Sequence, residues 1–305
     1  MAKTEISTLG EFGLIRHLAK HIKLENPSSE KGIGDDAAVL NYTDSNKRAL
    51  VTTDLLLEGI HFDLTYVPLK HLGYKAAMVN ISDIFAMNGT PKQITVSIGL
   101  DKRFGVEDIE ELYAGILLAC SRHHVDVVGG DTTSSLTGLC ISITCIGEGE
   151  VGKIAYRSGA KPNDLICVSG NLGAAYMGLQ LLEREKNLFQ NDKSLQGVQP
   201  DFAGKEYILQ RQLKPEARGD IIKSLSEAGI IPTSMMDISD GIASDIKHIM
   251  ELSQVGAVIE LTKVPTDYDI RYATTGGEDY ELLLTIEPSA FNTVAEALHE
   301  ATGTT

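Results

Sequence analysis

Apolar residues return at helical spacing over residues 5–24, where Leu9, Phe12, Ile15, Leu18 and Ile22 predict an amphipathic helix. The segment ALVTTDLLLEGIHF begins as a strand and then loosens. Residues 69–87 read as a helix with a small-residue face made by Ala76, Ala77, Ile81 and Ala86. QITVSIGL alternates as a strand does, and VEDIEELYAGILLACSRHH is amphipathic, with Val106 as an early anchor and acids in its first turns. VDVVGG and LCISITCIG read as strands. Gly159, Pro162 and Asn163 then interrupt the chain before a new strand at Leu165–Val168. The second half predicts a helix over Ala174–Glu185, a polar stretch, a helix over Arg218–Ala228 and a strand in SMMDISDG. Another helix, strands in AVIEL and YELLLTI, and a final helix complete it. Strands and helices alternate in both halves without the uniform period of a parallel doubly wound sheet. The pattern predicts an α/β (α+β) protein of two domains, residues 1–152 and 153–305.

Composition changes this picture little. The 305 residues are 43% hydrophobic, enough for two cores, and no apolar run is long enough to span a bilayer. The start, MAKTEISTLGEFGLIRHLAK, lacks a charged-then-apolar signal pattern, so the expected location is cytoplasmic. Four cysteines fit: Cys140 and Cys145 have opposite parity on one strand, Cys120 and Cys167 sit in apolar runs, and all four read as reduced thiols. The net charge of −15 argues against nucleic acid or an anionic membrane as partner, since both need a basic footprint.

The position of the aspartates carries more. GIGDDAAVL sets Asp35 and Asp36 between a glycine turn and an apolar run; alone it reads equally as a solvated turn. The same signature recurs in TTD (Thr52, Thr53, Asp54), NISD (Asp83), VGGDTT (Asp131) and MMDISDGIASD (Asp237, Asp240, Asp245). Each places a carboxylate where a strand or buried helix meets a tight turn. Buried carboxylates without partners are costly or become neutral, and the flanks are Gly, Ala, Ser, Thr and Ile. If the segments converge, metal ions must balance the charge, and hard oxygen ligands suit Mg²⁺ bridging to phosphates. The pairs Gly129–Gly130 and Gly276–Gly277 would let backbone approach a phosphate closely.

Other chemistries compete poorly. GEGEVGKI has P-loop spacing but ends in Ile154 where a hydroxyl is needed, so it reads as a turn leaving a strand. His123 and His124 end a helix and answer its dipole. His17 and His21 share a helix face without a third ligand. His61, in GIHF close to Asp54, is the exception: either a neutral core histidine or a contact to a bound phosphate, which carboxylates nearby would keep protonated.

Taken together, GIGDDAAVL, TTDLLLEGIHF, NISDIFAMNGTP, VGGDTT, RSGAKPNDLICVSG, MMDISDG and GGEDYELLLT resemble the thiamine-monophosphate kinase family, in order from about residue 10 to residue 286. That family shares a superfamily with aminoimidazole ribonucleotide synthetase, selenophosphate synthetase and a hydrogenase maturation factor. The resemblance implies an aminoimidazole ribonucleotide synthetase-like fold whose N-terminal sheet pairs with a second copy into a barrel-like homodimer core. It also implies ATP-dependent phosphorylation of thiamine monophosphate to thiamine diphosphate, in clefts between domains. By the same resemblance, Asp36, Thr52, Thr53, Asp54, Asp83, Asp131 and Asp237 would hold several Mg²⁺ ions, and Asp240 a further one on the phosphates. Tyr113, Gly130, Asp131, Arg157 and Ser239 would touch ATP; His61 and Glu278 would touch the thiamine substrate; Asp35 would stand behind Asp36.

The chain departs from the family pattern twice. TDYDIRYATT is short where the family has a longer helical excursion. The sequence ends at ATGTT, before the family's last strands and the aromatic residue that stacks on the thiamine, so the C-terminal domain reads as truncated. The implied chemistry suits the residues: a phosphate monoester has a second pKa near ~6, is largely ionised at neutral pH, and needs no general base. Charge neutralisation and in-line positioning are what remain to be supplied. A different superfamily enzyme acting on an amide, or a metal-binding protein without turnover, are the alternatives.

Overall fold

The computed structural model describes residues 13, 15–16, 19–20, 24, 27–42, 46–191, 200 and 202–302. The helix expected over residues 5–24 lies largely outside the described residues. The first sheet has six strands: β1 (Ser29–Lys31), β2 (Ala38–Leu40), β3 (Lys47–Leu57), β4 (Thr90–Leu100), β5 (Asp126–Ser134) and β6 (Cys140–Glu150). Their order is β1-β2-β3-β6-β4-β5, antiparallel except for the parallel pair β4 and β5. The second sheet, β7 (Leu165–Val168), β8 (Ser234–Asp237) and β9 (Leu282–Ile286), runs β7-β9-β8 and is antiparallel throughout.

Helices α1 (Leu69–Ala86) and α2 (Val106–His123) belong to the first half. The second half holds α3 (Ala174–Asn191), α4 (Glu206–Leu213), α5 (Gly219–Glu227), α6 (Ile242–Ser253), α7 (Ile270–Thr275) and α8 (Phe291–Thr302). The mixed α/β class expected from the pattern is the class observed. Two local readings fail. AVIEL pairs with no strand; residues 257–260 run without regular structure into a short 3-10 turn, Leu261–Lys263, and Val258 is exposed. The polar stretch after α3 contains α4, whose buried positions are Ile208 and Gln212. The polar Gln212 hides the apolar period there.

α1 is the central element. It is buried nearly all the way round, from Leu72 to Ala86, as expected of a helix packed on more than one side. Ile94, Ile141 and Ile143 of the first sheet and Met235, Leu282 and Leu284 of the second join α1 in one continuous core. Met236 and Leu283 alternate to the other face of the second sheet, where they meet Ile242, Ile246 and Ile249 of α6. α2 approaches α1 backbone to backbone. A Cβ on Gly73 would stand 1.9 Å from the Leu112 carbonyl oxygen, and one on Gly115 would stand 1.9 Å from that of Lys70.

Both helices must separate if either glycine gains a methyl group. Gly115→Ala should therefore cost about 1–3 kcal/mol by chemical denaturation. Gly256→Ala, where a Cβ meets nothing within 4 Å, should stay within about 0.5 kcal/mol. Equal effects at the two positions would refute the close crossing.

Candidate active site

β3 alternates. Leu50, Thr52, Asp54 and Leu56 face α1, while Thr53, Leu55 and Leu57 face away. α1 answers with polar groups at the same level. The Thr52 hydroxyl donates to Asp83 Oδ2 at 2.5 Å, and the Asp54 amide donates to Asn80 Oδ1 at 3.1 Å. One residue before Asp83, the Ser82 hydroxyl donates to Asp237 Oδ2 at 2.6 Å. Asp237 ends β8, in a strand buried at all four positions. Asp36 enters from the loop before β2. Oxygens of Asp36, Asp83 and Asp237 lie within 4.8 Å of one another.

One guanidinium stands against this charge. Arg157 donates from Nε and an Nη to the two oxygens of Asp36, at 3.1 and 2.8 Å. Its backbone N–H donates to Asp35 Oδ1 at 2.7 Å, and Asp35 also pairs with Lys31. The residues flanking the aspartates in sequence offer few cations, and the fold brings Arg157 in from residue 157. Among the described residues, Asp54, Asp83 and Asp237 have no ion-pair partner, and Asp54 Oδ2 is buried without a hydrogen bond.

The titration behaviour follows. Burial, with repulsion from Asp36, pushes Asp54 up to about 6. Burial, again with Asp36, pushes Asp237 up to about 7 against the Ser82 hydrogen bond. Asp83 is held well above the usual carboxylate range by burial and by Asp54, Asp237 and Asp36. Burial also raises Asp36, and Arg157 opposes it. Asp245, on the first turn of α6, is pushed up to about 8 by burial and by Asp237 and Asp240. It accepts from the Asp240 amide at 3.3 Å.

Asp36, Asp54, Asp83 and Asp237, with Thr52, Ser239, His61 and Glu278, line a cavity of about 800 Å³. His61, Lys75 and Glu278 also line a second cavity of about 550 Å³, walled by Tyr66, Tyr176, Glu183 and Gln212. His61 is exposed, not a core residue, and its Nδ1 accepts from the Leu57 amide at 3.0 Å. With Nδ1 accepting, Nε2 is the ring nitrogen left to donate to a ligand.

Four sequence candidates lie elsewhere. The Thr53 hydroxyl donates to the Ile143 carbonyl at 3.0 Å on the far face of the sheet. Asp54, Ile143, Val96 and Gly130 form one cross-strand row, so Gly130 and Asp131 on edge strand β5 stand three strands, about 14 Å, from Asp54. Tyr113, on α2, lines a separate shallow pocket with Phe104 and Ile109. Asp240 lies beside the cluster in the loop after Asp237, against Asp245. The glycines also serve a different end. A Cβ on Gly130 would meet the Val96 carbonyl oxygen at 1.8 Å, and one on Gly277 would meet that of Ser239 at 2.2 Å. Close approach is required there by neighbouring backbone within the chain.

Sequence reasoning gave no role to Asn80, Ser82, Lys75 or Gln212. NISD carries the first two in plain view, since a buried helix spends Asn and Ser only where a partner waits.

Residues 34–149 match the family model "AIR synthase related protein, N-terminal domain", which gives the class of the fold. The thiamine-monophosphate kinase of Bacillus subtilis (strain 168) is 34% identical over 303 residues, covering 95% of this chain and 89% of that protein. That of Escherichia coli (strain K12) is 31% identical over 295 residues, covering 91% and 82%. A solved structure of AaThiL complexed with AMPPCP and TMP superposes with a TM-score of 0.81 at 35% identity, covering 95% of this chain and 89% of that one. The chain belongs to the thiamine-monophosphate kinase family. The hydrogenase maturation protein HypE, at 20% identity and a TM-score of 0.67, shares the fold.

The donor set fits a hard divalent cation: converging buried carboxylates, one orphaned oxygen, and too few cations. Raised carboxyl pKa values mean that the metal-free fold binds protons more tightly than the unfolded chain does. That stability is complete below about 4 and is lost as pH rises through about 6 (Asp54) and about 7 (Asp237). Mg²⁺ should therefore raise Tm little at pH 5 and by several degrees at pH 8, relative to chelator. A gain independent of pH, read by thermal melts, would remove the cluster as the binding site.

Proposed function

We propose that this protein transfers the γ-phosphoryl group of ATP to thiamine monophosphate, giving thiamine diphosphate, as a cytoplasmic homodimer. The observation that carries the proposal is a pair of adjoining cavities: the one that holds the carboxylate cluster shares His61, Lys75 and Glu278 with a second chamber. The activities of the relatives support the substrates. No helix among the described residues is long and apolar enough to cross a membrane.

Asp36, Thr52, Asp54, Asp83 and Asp237 would hold Mg²⁺, with Asp240 beside them. Bound there, Mg²⁺ would screen the repulsion between donor and acceptor phosphates. The chain's own residues do the rest. Arg157 fixes Asp36 with two donors and keeps its remaining N–H groups for the nucleotide, beside Ser239. His61 offers Nε2–H to the acceptor phosphate and removes no proton, because that phosphate is already ionised. Glu278 faces the thiamine. Residues 1–152 and 153–305 act as the two lobes of the cleft.

Gly130, Asp131 and Tyr113 need a second copy to take part. Among the described residues, β3 from Thr52 to Leu57 has a strand on one side only, and so has β5. Leu55, Leu57 and Val128 are exposed on these two strands. A partner whose β5 edge lies beside β3 would cover them and carry the partner subunit's Asp131 to the level of Asp54.

Two experiments test this. The protein should release ADP with Mg²⁺ and ATP only when thiamine monophosphate is supplied; release without it, or none with it, rejects the kinase reading. Asp54→Asn should lower turnover about 100-fold or more. It should also raise the metal-free Tm at pH 8, since one buried charge is gone. Near-normal turnover at saturating Mg²⁺ would clear Asp54 of a metal role. The second test mixes Asp54→Asn with Asp131→Asn under conditions of subunit exchange. If sites are shared, half the dimers carry one intact site, and the mixture should recover about a quarter of wild-type activity. No recovery would place Asp131 in its own subunit's site.

A further inference from the structure

Lys75 is 5% exposed on a helix that packs in the middle of the molecule. A buried ammonium needs fixed acceptors. It has two: Glu278 Oε1 at 2.7 Å and the Gln212 carbonyl oxygen at 3.2 Å. The ammonium has three N–H donors, so one is left for another partner. Glu278 is held on its other side, where Gln212 Nε2 donates to Oε2 at 2.8 Å. Glu278 adopts a positive φ of 67°, which a non-glycine residue keeps only when its surroundings fix it. The amide oxygen of Gln212 is buried and has no hydrogen-bond partner. All three residues line the second cavity.

Position along α1 places the pair. Lys75, Val79 and Asp83 follow one another at four-residue spacing, so they share one face of the helix. All three line the carboxylate cavity. Lys75 is thus about 12 Å along the helix axis from Asp83, where the two chambers adjoin.

A paired cation and anion at one junction match a ligand that carries both charges. Thiamine monophosphate is such a ligand: a phosphate monoester at one end, a fixed thiazolium cation in the middle, and an aminopyrimidine with N–H donors at the other end. We propose that Lys75 contacts the acceptor phosphate beside His61 and makes the site specific for the phosphorylated vitamin, and that substrate binding exchanges the Lys75–Glu278 ion pair for two pairs with the ligand. The ammonium turns to the phosphate, on the side of the carboxylate cluster. Glu278 turns to the thiazolium, and the free Gln212 oxygen accepts from a ligand N–H. A ligand with only one of the two charges leaves one protein charge buried and unpaired, which selects against it.

The proposal rests on the kinase reading for the identity of the acceptor, and its test separates the two. Binding of thiamine and of thiamine monophosphate, each as its own probe, is measured by calorimetry with Mg²⁺ on the full chain. Wild type should bind the monophosphate more tightly than thiamine. Lys75→Met should weaken the monophosphate about 10- to 100-fold and leave thiamine bound no more weakly than before, so that the preference collapses. Lys75→Arg should restore part of the preference, and Glu278→Gln should weaken both ligands. If Lys75→Met weakens both equally, Lys75 only props Glu278 and the proposal fails. It fails also if neither ligand is affected. Should Lys75→Met not fold, the double variant Lys75→Met/Glu278→Gln removes both charges together, and retention of a phosphate preference in it overturns the proposal. Failure of the kinase reading shows separately, as wild-type protein that yields no ADP with thiamine monophosphate.

Discussion

Mutual repulsion among buried carboxylates is the constraint around which this molecule is arranged. Asp36, Asp54, Asp83 and Asp237 come from four segments distant in sequence, and α1 touches the other three through its own side chains or charge. Left to itself such a group would separate or take up protons. The surrounding structure prevents separation. α1 is locked to the first sheet by apolar packing, to α2 by backbone contact at Gly73 and Gly115, and to the second sheet through one continuous core. The repulsion is thus converted into raised carboxyl pKa values and an orphaned oxygen, rather than into movement.

A second restraint joins the metal side of the site to the acceptor side. The Glu278 amide donates to the Ser239 carbonyl at 2.8 Å, and the Tyr280 amide to that of Ile238 at 2.9 Å. GGEDYEL is therefore bound to the loop after Asp237. Asp279 accepts from the Gly173 amide at 2.8 Å, ahead of α3, and Glu281 is gripped by Arg211, Arg218 and the Ser169 hydroxyl. Alternate residues look opposite ways: Asp279 and Glu281 hold the frame, and Glu278 meets Lys75. Holding Glu278 and Tyr280 at positive φ costs on the order of 1 kcal/mol each. The network around them makes that conformation the only one available.

Much of this was legible in the sequence, for reasons that can be named. Strands β4 and β6 and helix α2 follow from periodicity because each presents a long, consistent face, and α1 follows from its run of small and apolar residues. Recurrence of aspartate beside small residues pointed to Asp36, Asp54, Asp83 and Asp237, and they do converge. AVIEL fails as a strand because alternation states only that one side could be buried; it names no neighbour to pair with. Thr53 was grouped with Thr52 by adjacency, whereas strand parity separates them. Asp131 shows a different limit. Its motif is as clear as the others, but the sheet order sets it three strands away, and sheet order is not written in any local pattern. Lys75 was invisible for the opposite reason: a lysine in a helix reads as surface unless the helix is known to be buried on every side.

The cations show how the acidic charge is kept available. A chain of net charge −15 that receives anionic substrates must not let its own basic groups neutralise the carboxylates first. Arg157 and Lys75 are both nearly buried in the cavity wall, and each is committed to one particular acid: Arg157 to Asp36 by two parallel hydrogen bonds, Lys75 to Glu278. Neither forms an ion pair with Asp54, Asp83 or Asp237, whose carboxylates stay without an ion-pair partner among the described residues. An isolated guanidinium or ammonium free to swing would collapse onto that cluster, because the attraction at contact in a partly buried site amounts to several kcal/mol. Pairing each cation with an acid at the edge of the cavity prevents this. It also sets a positive group at either end of the carboxylate cluster, where a phosphate can reach it without crossing the negative charge between.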